Sequence, residues 1–122
     1  MKRDMDLIRE ILFRLEEIGE GESTLPPLSD LGYSREKIGY HNYLLVDADL
    51  AFGYTVGRDS DVLPLCEVRA LTWDGHEFLD AARDDARWFK AKSVLTGVGG
   101  FSAVVLKEVL VGMLRQAVQA HV

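Results

Sequence analysis

A short β-hairpin set between long helical segments is the feature that most narrows what this chain can fold into. Residues 54–56 read Tyr-Thr-Val, residues 63–71 form a second extended run, and the polar stretch Gly57-Arg58-Asp59-Ser60-Asp61 separates them. Glycine and aspartate suit a tight reversal, so the two runs are predicted to pair antiparallel. One α+β domain over residues 1–122 is expected, since this length is typical of one domain and sufficient to bury a core.

The helices around the hairpin follow from spacing. Over residues 4–20, Met5, Ile8, Ile11, Leu12, Leu15 and Ile18 recur at helical intervals, with Arg9, Arg14, Glu16 and Glu17 off the stripe. Asp4 and Asp6 sit in the first turn, where negative charge suits the helix dipole. Gly19 and Gly21 break this helix, and residues 21–32 read as an irregular connection ending in a short turn over 28–31. Ser34 is an N-cap for a helix running to about residue 51, with His41, Leu44, Leu45 and Ala48 on its inner face. Thr72 caps a third long helix that continues past Trp88 and Phe89. After the break at Gly97-Val98-Gly99-Gly100, Ser102 opens a last helix reaching about residue 120.

Helix, connection, helix, hairpin, helix is the order of a winged helix-turn-helix domain, with the second long helix as reading helix and the hairpin as wing. The expected architecture is a 1–95 core plus an added C-terminal helix over 101–120, with four main helices and a two- or three-stranded wing. The stretch His41 to Leu50 resembles the end of the recognition helix in ArsR-type repressors, and Leu71-Thr72-Trp73-Asp74-Gly75 resembles the start of the helix after the wing in many winged-helix proteins. Asp49 stands where those repressors carry glycine, and Asn42 where they carry an apolar residue. The opening Met1 to Arg9, the middle Tyr40 to Leu45 and the stretch Leu71 to Asp80 with Arg83-Asp84-Asp85 and Trp88 together resemble a domain-of-unknown-function family of bacteriophages, prophages and bacterial genomes. That resemblance implies the winged-helix core but no activity.

Charge bears on the partner. The first 61 residues hold 13 acidic and 7 basic side chains, and the remainder 7 of each, so the net charge of −6 belongs to the first half. Duplex binders gain most of their affinity by neutralising phosphates, so a DNA-binding surface here must focus its few cations on one face. The candidate DNA contacts are Arg35, Lys37, Tyr40 and Tyr43 on the second helix, with Arg58 and Arg69 on the wing. The expected function is a transcriptional regulator that binds double-stranded DNA. The alternative is a protein-binding module, such as a phage inhibitor of a host defence protein, to which surface acidity is suited; an enzyme is a remote third.

No catalytic, cofactor or metal site is expected. His41, on the apolar face, reads as a packed or capping residue, and Cys66 as a small buried hydrophobe. No histidine has a trustworthy metal-ligand spacing, and the glycines at 97–100 lack the strand and lysine of a phosphate loop. Asp84 and Asp85 read as a solvated helical surface beside Arg83 and Arg87. With a single cysteine and no run of the ~18–20 apolar residues a membrane helix needs, a cytoplasmic protein is expected. Finally, the last helix carries an apolar arc wider than one-sided docking requires, which predicts a homodimer through Leu106, Val109, Leu110, Met113 and Leu114. The alternative is that this helix folds back and is buried within its own chain.

Overall fold

The computed structural model describes residues 1–18, 28–59, 63–98 and 102–121. Among these the chain is α+β, with five α-helices, one 3-10 turn and a two-stranded antiparallel sheet. The order is α1 (Met5–Glu17), the 3-10 turn (Ser29–Leu31), α2 (Arg35–Asp47), β1 (Ala51–Asp59), β2 (Leu63–Leu71), α3 (Trp73–Ala82), α4 (Asp85–Gly97) and α5 (Ala103–Gln119). Two compact units, Met1–His76 and Glu77–Val122, divide within α3. None of the described helices is long and apolar enough to cross a membrane.

In the first unit, Asp4 caps α1 by accepting from the Asp6 and Leu7 amides at 3.0 and 3.2 Å. Five residues of the expected stripe, Met5, Ile8, Ile11, Leu12 and Leu15, are buried, and Leu7 joins them. Ile18 is instead the C-cap, so the helix ends at Glu17 rather than near residue 20. Ser34 caps α2 as expected, its hydroxyl accepting from the Lys37 amide at 3.1 Å. α2 ends at Asp47, because Asp49 takes a left-handed conformation (φ 60°) and turns the chain out of the helix. Aspartate tolerates that region better than most residues, which is how it serves where the repressor pattern has glycine.

The hairpin is longer than its sequence suggested. β1 takes in Ala51, the expected end of the helix, with Phe52 and Gly53 after it, and also Gly57, Arg58 and Asp59 from the expected turn. Those last three pair with Leu65, Pro64 and Leu63. Ser60 and Asp61 lie outside the described residues. Pairing with β2 satisfies backbone groups that a loop would leave to water, and two register shifts, at Phe52/Gly53 and Thr55/Gly57, absorb the mismatch.

Thr72 explains the Leu-Thr-x-x-Gly stretch. Its hydroxyl donates to the Asp49 carbonyl at 2.6 Å and accepts from the Gly75 amide at 3.0 Å, while its own amide donates to the Leu50 carbonyl at 3.2 Å. One side chain therefore caps α3 and ties it to the turn after α2. A Cβ at Gly75 would collide with the Leu50 carbonyl oxygen, so only glycine allows that approach.

In the second unit, the single helix expected from Thr72 through Phe89 is two helices. α3 ends at Ala82, and Asp84 is the N-cap of α4, accepting from the Arg87 amide at 2.8 Å. A short acidic side chain competes for nearby amides and so favours a cap over a helix interior. Trp88, Ala91 and Leu95 of α4 are buried, as are Leu106 and Leu110 of α5, and these two helices pack together. Phe78 of α3 is buried as well, whereas Trp73 and Phe89 are 79% and 60% exposed.

Candidate functional site

α2 has three working faces. The inner one carries His41 and Leu45, both fully buried. His41 Nε2 accepts from the Asp4 backbone amide at 2.8 Å, and its Nδ1 lies 2.8 Å from the Lys37 carbonyl. An amide can only donate, so Nε2 is bare and the proton sits on Nδ1, donated to Lys37. Lys37 Nζ in turn pairs with the Asp4 carboxylate at 3.0 Å and sits over the Tyr33 ring. This cluster locks the start of α1 to α2. Burial pushes the Asp4 carboxyl up, but the Lys37 ammonium and the capping amides outweigh it and hold it below its ordinary value. Burial holds the His41 imidazole below its ordinary value as well. His41 is thus a packed and capping histidine, as its position implied.

A second stripe, Glu36, Tyr40, Tyr43 and Asp47, follows the helical i, i+4, i+7, i+11 spacing. The Tyr40 and Tyr43 rings stack with centroids 6.1 Å apart, half-buried between two exposed carboxylates. The third stripe, Arg35, Ile38, Gly39 and Asn42, faces the hairpin across a groove shared with Val56, Leu65, Cys66 and Glu67. Gly39 belongs here because a Cβ would lie 3.0 Å from Leu65 Cδ2.

The six candidate DNA contacts therefore do not share one face. Lys37 is committed to Asp4. Arg35 is exposed in the first turn of α2 and forms no ion pair with any described residue. On the hairpin, Arg69 donates to the Tyr54 hydroxyl at 2.9 Å and stacks over its ring, and Tyr54 donates to Glu67 Oε2 at 2.7 Å. Arg58 lies opposite Pro64 in the ladder, and its side chain is outside the described ones. The sequence reading missed Asn42, whose amide Nδ2 donates to the Cys66 carbonyl at 2.9 Å. The signal was present, since a polar residue in an apolar position of the repressor pattern demands a buried partner.

On α5, Leu106 and Leu110 are fully buried within the chain, so they are removed from the set of residues that a second copy can reach. Packing of α4 on α5 consumes the centre of the arc. Val109, Met113 and Leu114 are half-buried, while Val104, Val105 and Val118 are exposed. The described residues contain no cluster of three or more histidine, cysteine, aspartate or glutamate side chains able to hold a metal ion.

Comparison with known proteins gives a family. The family described as "Hypothetical protein (DUF2513)" matches residues 2–102. An uncharacterized protein of Haemophilus influenzae (strain ATCC 51907 / DSM 11121 / KW20 / Rd) is 38% identical over 97 residues, covering 78% of this chain and 79% of that protein. No solved structure matches the chain.

Proposed function

The chain belongs to the DUF2513 family, and from that premise we propose that it is a non-enzymatic, phage- or prophage-type winged-helix regulator that binds double-stranded DNA through α2 and the hairpin. The observation that carries this reading is the connection of α2 to the hairpin. A Ser34-capped helix, with Arg35 in its first turn free of any ion pair among the described residues, leads through the left-handed Asp49 directly into two strands that pack back along it. Such a connection is compatible with the relation of a reading helix to a wing.

The charges make the reading quantitative. With Lys37 held by Asp4 and the Arg58 side chain outside the described ones, the candidate contacts on α2 and the hairpin offer Arg35 and Arg69 to phosphates, two described cations per chain. Affinity should then fall with salt at a slope of about −2 per chain, since each neutralised phosphate contributes about −0.9. Fluorescence anisotropy on duplex fragments of the source genome, at low salt, tests this. Binding with that shallow slope, weakened by Arg35→Glu, supports the reading. No binding to any fragment removes it.

The same regulator would act as a homodimer in the cytoplasm, paired through the outer part of α5. Val109, Met113 and Leu114 with the exposed Val104, Val105 and Val118 supply the apolar contact.

One observation favours a protein partner instead. β1 is an open edge on which Phe52, Tyr54 and Val56 are 61%, 43% and 51% exposed. Exposed apolar residues on an unpaired strand edge are a docking feature. A host protein captured by the wild type and lost with Phe52→Ser would favour that module over the regulator.

A further inference from the structure

The side of α5 opposite its buried Leu106 and Leu110 carries an ordered pattern. Steps of four, three, four and three residues join Val104, Glu108, Val111, Arg115 and Val118, which is the spacing of a helix-pairing seam. Valine alternates with charge along it, and Val104 and Val118 at its ends are 67% and 57% exposed. Two features of this face have no explanation within the chain. Glu108 and Arg115 have no ion-pair partner among the described residues, and at i, i+7 they are beyond the reach of the usual i+3 and i+4 helical pairs. Gly112, beside the seam, weakens the middle of a helix relative to alanine, yet a Cβ there would meet nothing within 4 Å. A second backbone crossing close to Gly112 would account for it.

The face is complementary in charge to itself, and only in one direction. Parallel pairing would set Glu108 against the partner's Glu108 and Arg115 against the partner's Arg115. Antiparallel pairing centred between Val111 and Gly112 does the reverse. Glu108 and Arg115 each lie three and a half residues, about 5 Å along the axis, from that centre, so Glu108 comes level with the partner's Arg115 and Arg115 with the partner's Glu108. The same register brings Val104 beside the partner's Val118. Lys107 precedes Glu108 and so lies about 100° around the helix, off this line. We propose that a second copy of this chain docks here, the two α5 helices crossing antiparallel over Gly112 with reciprocal Glu108–Arg115 ion pairs. This pairing rests on the chain forming a dimer through α5 and assigns that dimer its direction and register. The valines supply the apolar contact, while the charges, exposed and individually weak, select the partner and its orientation.

The test is sedimentation equilibrium of the full chain at low salt, with two charge reversals made separately. Glu108→Arg and Arg115→Glu, both at exposed positions, should each weaken the wild-type dimer at least about tenfold, because either reversal sets two pairs of like charges together. Helical circular dichroism should stay unchanged in both. Mixed in equal amounts, the two variants should pair as tightly as the wild type, since one chain then brings two cations to the seam and the other two carboxylates. A dimer that survives both reversals overturns this pairing and leaves a dimer through another part of α5 standing. A mixture no tighter than either variant alone overturns it too. So does a mixture far tighter than the wild type, which is the signature of parallel helices. A monomeric wild type overturns the pairing and the dimer together, and leaves the face to a different protein.

Discussion

Acid should loosen the junction of α1 and α2 through His41, and the effect can be worked from its two hydrogen bonds. At neutral pH the bare Nε2 accepts the Asp4 amide, and Nδ1–H donates to the Lys37 carbonyl. Protonation places an N–H on Nε2 that faces another N–H. The folded state therefore resists the proton, in keeping with a histidine held below its ordinary 6.5 by burial. The unfolded chain takes up that proton readily, so stability from this group is present above pH 6.5 and is lost as pH falls through the depressed folded value. Asp4 is also depressed, from 3.8, so its own contribution is lost only further into acid. Losing one bond and burying an unpaired donor costs about 1–3 kcal/mol. Urea unfolding between about pH 7.5 and pH 5 should show that decline in the wild type. His41→Leu should be less stable at the upper pH by about 1–2 kcal/mol, for two bonds lost against apolar burial gained, and should have lost the slope. The exposed His76 and His121 are common to both proteins and cancel in the difference. A flat wild-type profile, or a Leu variant with the same slope, would refute the role given to His41.

Thr72→Val should cost about 2 kcal/mol, since it removes both the bond to Asp49 and the cap on Gly75; Thr72→Ser should restore most of it in the same urea assay. Asp84→Ala should cost about 1 kcal/mol by uncapping α4, seen as faster amide exchange in its first turn, whereas unchanged exchange would return α3 and α4 to one helix. On α5, light scattering at micromolar concentration should give a dimer mass that Val118→Glu reduces to a folded monomer. Leu110→Glu should unfold the chain rather than merely separate copies, because that position is fully buried. A monomeric wild type would end the dimer proposal.

What was legible in the sequence was mostly local. Ser34, Thr72 and the α1 stripe follow from one residue's chemistry or from a 3.6-residue period, and the structure has all three. The positive φ of Asp49 was visible because few residue types tolerate it. The break at Arg83-Asp84 was not, since an aspartate pair beside arginines suits a solvated helix as well as a cap, and only backbone geometry separates the two. Site composition was harder still. The sequence placed Arg35, Tyr40 and Tyr43 on the exposed side of the second helix with Lys37 at its flank, but Lys37 is drawn to Asp4, 33 positions away, and that partner has no local signature. Burial of Leu106 and Leu110 depends on α4 docking on α5, which the periodicity of α5 alone does not specify.

The reading helix is the central claim, and backbone NMR with a bound duplex tests it most directly. On titration with a genomic duplex at about 50 mM salt, where phosphate contacts are weakly screened, the amides of residues 35–43 and 65–69 should shift together. Those of α5 should stay within noise. Shifts confined to α5 or to the outer edge of β1, or none at all with every duplex offered, would contradict α2 as the DNA-reading element.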